Sequence, residues 1–417
     1  MPERIDLVTH FFPPVGGPAS NRLLGWARHF VSRGVRVRVT TPAPHPADPY
    51  FDEGCAVPPE VEVIRVAGLD LARHLRRAVR WRRLLVPLRD LLDWPDHRRI
   101  WNRAALASLG RLAPPPRVVI TTSPYGSTHL IGLSLKQRLP GLFWVADIRD
   151  PWVRSRNQGV HTPLHRAYLL VLERTIARRA DLIVLVHRNL VEDMAGRVGA
   201  AALRDKTLVV YHGVDGEAMA AFAARATAPP PGPAIVTFAG TIWEWNLPPG
   251  LFAGWARLRA AAGPGTELHF YGRIEPGALA VIDAARRAAL AEVHVHGFRP
   301  RSEAIAALAR SSALLVFNGP YRETVSSKLF DYIAAARPIL YCGAPESAGA
   351  GILRDVGAPA SVTTSYDDRG VVDLFDRFAR ALNAGDCGGF VPEHVPPELR
   401  SVAQAEKLLD RIVRETS

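Results

Sequence analysis

Between Tyr321 and Leu340 the chain reads Tyr-Arg-Glu-Thr-Val-Ser-Ser-Lys-Leu-Phe-Asp-Tyr-Ile-Ala-Ala-Ala-Arg-Pro-Ile-Leu. Two carboxylates, Glu323 and Asp331, stand eight residues apart, with Ser326, Ser327 and Lys328 between them. Only four lysines (Lys136, Lys206, Lys328 and Lys407) occur among 52 basic residues, so a lysine at 328 stands out against a composition that favours arginine. A flexible ammonium suits a phosphate group as a point charge. Thr324, Val325, Ser326 and Ser327 read as the start of a helix, where unpaired backbone N–H groups and the helix dipole favour an anion. One acid ahead of the helix and one inside it suit the hydroxyls of a sugar. The same spacing equally fits an amphipathic helix with a solvated acid pair.

The elements that must position this segment alternate in type. Ile5–Thr9 reads as a strand, His10–Pro18 as a loop holding Gly16 and Gly17, Ala19–Arg33 as a helix with Leu23, Leu24, Ala27, Phe30 and Val31 at helical spacing, and Val35–Thr41 as the next strand. A β-α-β unit of this kind implies a parallel sheet. Val61–Val66, Val118–Ser123, Phe143–Asp147 and Leu182–Val186 continue the series. After a Pro-rich linker at 226–233 the plan repeats: Ala234–Thr241, Thr266–Arg273, Val293–Phe298 and Ala313–Phe317 read as strands, the first three with Gly240, Gly272 and Gly297 at their ends. In open parallel sheets ligands bind outside the carboxyl ends of the strands. Ser123, Asp147, Arg149, Asp150 and Trp152 in the first half, and Arg273 and Phe298 in the second, stand at such ends.

The 321–340 segment resembles the acid–x7–acid signature of retaining group 1, or family 4, glycosyltransferases. Asp331 stands where that family usually has a second Glu, and Ala336 where it usually has Gly, a difference read here as one of packing. Phe-Pro-Pro-x-Gly-Gly followed by Arg22 resembles the family's N-terminal loop. Ser-Pro-x-x-Ser with Trp-Val-Ala-Asp-x-Arg-Asp-Pro-Trp resembles a subgroup acting in surface-polysaccharide and related sugar pathways. His212–Asp215 resembles the tetrad that closes the family's first domain. The resemblance implies an α/β fold of the GT-B type: two facing Rossmann-like domains, a cleft between them and a C-terminal helix crossing back to the first. The expected division is 1–225 with the helix at 397–417 for the acceptor, and 234–396 for the donor.

Length and composition agree with two ordinary domains. The 417 residues are 48% hydrophobic and 22% charged. No run of 18 apolar residues occurs, so no membrane-spanning helix is expected, and the first strand begins too early for a signal peptide. Three scattered cysteines suggest a reducing, cytoplasmic setting. The net charge of +12 comes without any nucleic-acid-binding motif, so nucleic acid is not an expected partner. Eleven arginines against three acids in Leu71–Leu112 suit an anionic membrane surface, or equally a surface helix with Arg stems over the core edge. His294 and His296 alternate on a strand with no third ligand close in sequence and read as strand residues, so no metal site is expected.

By the resemblance, Lys328 and Arg273 hold the diphosphate of a nucleotide-sugar donor, with Gly240, Gly272 and the N–H groups of Val325 to Ser327 close by. Glu323 holds sugar hydroxyls, Asp331 the ribose, and Phe298 flanks the base. Gly16, Gly17, Arg22, Ser123, Trp152 and the Asp147, Arg149, Asp150 cluster face the acceptor and the reacting centre. No Asp-x-Asp occurs, which agrees with transfer that needs neither metal nor cofactor. The turn Gly240–Leu247 carries no basic residue, unlike the family's. The acceptor is a lipid-linked glycan or, with Trp81, Trp94, Trp101 and Trp152 lining an apolar cleft, a small natural-product aglycone. A catalytically silent sugar-binding subunit and a sugar-nucleotide epimerase of the same architecture are the alternatives. A nicotinamide dehydrogenase is disfavoured because no Gly-x-Gly-x-x-Gly turn is present.

Overall fold

The computed structural model describes residues 1–45, 48, 50–52, 54, 56–68, 94–153, 162–223, 233–288, 292–323, 325–357, 360–385 and 395–417. Outside them lie most of the basic segment (69–93), most of the linker (224–232), Thr324, Cys55 and Cys387. Internal contacts divide the chain into Met1–Tyr211 with Gln404–Ser417, and His212–Ala403. The short helix Gly216–Ala223, counted with the first half from sequence, packs on the helices Arg301–Ala309 and Lys328–Ala335 of the second unit.

The first unit holds seven parallel strands: β1 (Arg4–Val8), β2 (Arg36–Pro42), β3 (Val61–Val66), β4 (Val118–Thr122), β5 (Phe143–Ile148), β6 (Leu182–Leu185) and β7 (Thr207–Val209), in the order β3-β2-β1-β4-β5-β6-β7. The central strands are apolar on both faces, and each face carries its own core. On one, Leu23, Leu24, Ala27 and Phe30 of the helix Pro18–Ser32 pack with Ala405, Leu408, Leu409 and Ile412 of the last helix, Ser401–Thr416. On the other, Trp101, Ile131, Trp144 and Ile176 meet. Trp101 and Trp152 are thus core side chains, 4% and 0% exposed, and neither lines an open apolar cleft. Among the described residues no helix is long and apolar enough to cross a membrane.

The second unit holds β8 (Ile235–Ala239), β9 (Glu267–Tyr271), β10 (Val293–Gly297), β11 (Ala313–Gly319), β12 (Ile339–Gly343) and β13 (Ala360–Val362), all parallel, in the order β10-β9-β8-β11-β12-β13. In both sheets the order reverses beside the unit's first strand, between β1 and β4 and between β8 and β11. Crossovers leave such a point on opposite faces, which opens a crevice at the carboxyl ends.

The helix Lys328–Ala335 ends on Ala336 in the left-handed conformation, φ 53° and ψ 38°. This corrects the sequence-based view of position 336. The resembled family's glycine answers a backbone requirement, because a Cβ in that conformation crowds the neighbouring carbonyl. Ala336→Gly is expected to stabilise the protein by about 1 kcal/mol, read from urea unfolding.

Candidate active site

In the second unit the strand ends adjoin. Gly240 N–H donates to the Tyr271 carbonyl at 2.7 Å, and Gly272 N–H to the Gly297 carbonyl at 2.7 Å. Gly240 has φ 145°, and a Cβ there would sit 1.5 Å from Cε of Lys328; a Cβ on Gly272, φ 115°, would sit 2.2 Å from the Gly240 carbonyl oxygen. Gly272 requires glycine because backbone occupies the space, and Gly240 because its φ is one that residues with a Cβ rarely adopt. The base that the Gly240 turn lacks in sequence is therefore supplied by the helix Lys328–Ala335, whose first side chain lies across the turn. Its Nζ stands 5.3 Å from the centre of the Phe238 ring. Burial pushes the Lys328 ammonium down to about 8, against the pull of Asp331. Arg273 is exposed beside the same turn, its carbonyl accepting from Ile242 N–H at 2.8 Å.

The helix starts at Lys328, with Ser327 at its N-cap and no side chain capping it. Of the N–H groups assigned to an anion, that of Ser326 is already taken, donating to Asn318 Oδ1 at 3.1 Å. Thr324 lies outside the described residues. Asp331 Oδ1 accepts from Arg301 at 3.0 Å, and Arg301 also reaches Asp215 at 3.5 Å, the last residue of the His-Gly-Val-Asp tetrad. Sequence reading missed Arg301. Glu323 is half-buried in the loop after Gly319, where Trp245 packs against Gly319 and Tyr321. Phe298 follows β10 and is 44% exposed. Glu244 sits with its carboxylate against Gly277 in the first turn of the helix Pro276–Arg287, a place the helix dipole favours.

In the first unit the acidic and basic cluster is largely self-satisfied. Asp147 is fully buried; its Oδ1 accepts from Arg22 at 3.0 Å and its Oδ2 from the Thr122 hydroxyl at 2.6 Å. Arg22 also donates to the carbonyls of Val210 and Tyr211 at 2.9 and 2.7 Å. The pair joins the first helix, β5 and the segment after β7. Asp147 and Arg22 hold the framework in place, and each oxygen of Asp147 already accepts one hydrogen bond from the protein. Ser123 in turn anchors Arg149: the Arg149 backbone N–H donates to Ser123 Oγ and its Nε to the Ser123 carbonyl, both at 2.8 Å. Burial lowers the Arg149 pKa, opposed by Asp150 and Asp147; burial raises that of Asp150, opposed by Arg149 and reinforced by Asp147. Trp152 lies under Gly126 and against His129, so it shapes this loop from beneath. Gly16 is tied to the Tyr50 carbonyl at 2.7 Å, and Gly17 begins the helix Pro18–Ser32.

One residue here escaped the sequence reading. His10 follows β1 at the β1/β4 reversal, is 8% exposed and packs on Trp101 and Tyr125 at 4.7 and 5.3 Å between ring centres. Neither of its ring nitrogens has a partner among the described residues. Burial pushes its pKa well below the usual histidine range, and nearby Arg98 and His97 act in the same direction. A histidine two residues past a switch-point strand is the signal that would have found it. A second correction concerns β10: His294 does not lack a third donor, since β9 pairs His269 with it and brings Glu267 alongside.

Two outcomes follow from this geometry. Asp147→Ala leaves the Arg22 guanidinium buried without its counter-charge and is expected to cost about 3–5 kcal/mol in urea unfolding. For Lys328, the folded pKa lies below that of the unfolded chain, so burial of the charge opposes folding below pH 8 and the opposition fades as pH rises towards 10.5. Lys328→Met is therefore expected to unfold at a higher temperature than the parent at pH 7. The difference should shrink by pH 10.

Residues 17–213, just under half the chain, match the model of the Glycosyl transferase 4-like domain. No curated protein sequence matches the chain. Among solved structures, sucrose-phosphate synthase from Thermosynechococcus elongatus shares 14% identity over 100% of both chains with a TM-score of 0.69. Anabaena HepE in complex with UDP-glucose shares 11% over 99% of each chain with a TM-score of 0.62. WaaG, a glycosyltransferase involved in lipopolysaccharide biosynthesis, shares 14% over 98% of this chain and 99% of its own with a TM-score of 0.62. Residues 17–213 are thus similar to a glycosyltransferase 4-like domain, and along its whole length the chain has the GT-B fold of these solved structures.

Proposed function

We propose that this protein is a retaining glycosyltransferase that moves a sugar from a nucleotide-diphosphate donor to an acceptor hydroxyl without a metal ion. The observation that carries the reading is Lys328 laid across the Gly240 turn, beside Arg273 and at the start of an uncapped helix. Its burial gives the ammonium little solvation to lose when a diphosphate arrives. Preorganised charge of this kind stabilises a leaving diphosphate as the glycosidic bond breaks. That HepE binds UDP and UDP-glucose on the same fold supports a nucleotide-sugar donor.

In this reading Lys328, Arg273 and the N–H groups of Val325 and Ser327 take the diphosphate. Glu323 takes sugar hydroxyls. Asp331, steadied by Arg301, takes the ribose, and exposed Phe298 flanks the base. Retention follows if the acceptor attacks from the leaving-group side: the bond from the anomeric carbon to the phosphate oxygen breaks, the new glycosidic bond forms, and the acceptor proton passes to the departing phosphate. Arg149, Asp150 and the Gly16-Gly17 loop serve the acceptor. Surface polysaccharide or glycoconjugate assembly is the setting we favour, with a lipid-linked acceptor and the basic 71–112 segment on an anionic membrane from the cytoplasmic side.

The test is a thermal-shift panel of UDP, GDP, TDP and ADP with their common sugars, on the parent protein and Lys328→Ala, with and without EDTA. One nucleotide should stabilise the parent, equally well in EDTA, and at least tenfold more of it should be needed with Lys328→Ala. Because bound phosphate raises the Lys328 pKa again, affinity should fall as pH rises through 8. Absence of a shift with every nucleotide would sink the donor site and favour a silent sugar-binding subunit. A product of inverted anomeric configuration by NMR would reject retention.

A further inference from the structure

Strand alternation in β9 sends Leu268 and Phe270 into the core and Glu267, His269 and Tyr271 to the opposite face. On the neighbouring edge strand β10, Val293 enters the core while His294 and His296 share that opposite face. The parallel register sets His294 directly across from His269. The outcome is a compact group: His269 Nε2 lies 2.8 Å from Glu267 Oε2, His269 Nδ1 lies 2.8 Å from His296 Nε2, and His294 Nε2 lies 4.0 Å from Glu267 Oε1. One donor atom each from Glu267, His269 and His294 falls within 4.8 Å of the other two.

We infer that Glu267, His269 and His294 form a binding site for a divalent transition-metal ion of the zinc type, which fastens edge strand β10 to β9. In a tetrahedral zinc site with bonds of about 2.0–2.2 Å the ligand atoms stand about 3.3–3.6 Å apart. The three donors reach that spacing by rotation of Glu267 and His294, whose side chains are 38% and 39% exposed. His269, only 17% exposed, is the fixed ligand. Its second nitrogen meets His296, which stacks on Tyr271 at 4.2 Å; a ligating histidine held through its other nitrogen is the usual outer support of a metal site. The donor set leaves a fourth position for water. Two imidazoles and one carboxylate select zinc, nickel or copper over magnesium or calcium. Arg299 and Arg310 stand close enough to oppose a cation, which weighs further against weakly held hard ions. The inference stands independently of the glycosyltransferase reading, since none of these side chains is assigned to the donor.

The full-length protein, stripped with EDTA and dialysed, is titrated with zinc, nickel, cobalt and magnesium chlorides, alongside Glu267→Gln, His294→Gln and His269→Ala. Zinc is expected to bind at one ion per chain and to raise the Tm by several degrees; magnesium is expected to do neither. His294→Gln, at an exposed position, should weaken zinc binding about tenfold or more while leaving the apo far-UV circular dichroism unchanged. Cobalt should give the visible absorption of a four-coordinate ion with nitrogen and oxygen donors. If a variant fails to fold, the cobalt spectrum of the parent decides. Zinc binding that is unaffected in all three variants would place the ion elsewhere and overturn the site, as would a cobalt spectrum of the hexaaqua type.

Discussion

Every chemically interesting side chain in this protein is where it is because strands run parallel. A parallel sheet needs a crossover after each strand, so all its carboxyl ends, and the loops that leave them, collect along one edge. In the first unit that edge carries His10, the Gly16-Gly17 loop, Ser123, Arg149 and Asp150. In the second it carries Gly240, Gly272, Gly297, Phe298 and the loop leading to Lys328. Apolar strand interiors, buried on both faces, hold this arrangement without contributing any chemistry themselves.

The two edges are held by different means. In the first unit a buried ion pair, Arg22 with Asp147, ties helix, strand end and chain exit together. Breaking one partner is costly because the other is left as an uncompensated buried charge. In the second unit close packing of backbone does the holding, since Gly240, Gly272 and the Lys328 side chain occupy space that any Cβ would claim. The first edge is consequently stiff and mostly self-satisfied. The second keeps an ammonium with no salt bridge among the described residues; the acid on its own helix, Asp331, is drawn to Arg301.

The imidazole group on β9 and β10 follows from the same strand geometry seen from the side. Alternation puts every second residue on one face, and parallel register puts equal positions of neighbours side by side. Two pairs of polar residues, Glu267 with His269 and His294 with His296, so become one cluster at the edge of the sheet. An edge strand gains a cross-link to its neighbour there when a metal ion binds.

Much of this was legible from residue order alone. Alternating strand and helix patterns dictated two parallel sheets, because periodicity is a short-range property; the spacing from Glu323 through Lys328 to Asp331 fitted an anion and a sugar or equally a solvated amphipathic helix, and the donor assignment came from the family resemblance. What the residue order did not show was partnership. That Asp147 is consumed by Arg22 and Thr122, that Arg301 engages Asp331, that Trp152 is core, and that Lys328 supplies the charge missing from the Gly240 turn all depend on contacts between segments far apart in the chain. The left-handed Ala336 and the meeting of His269 with His294 belong to the same class: they are set by register and chain reversal, which only the assembled sheets decide.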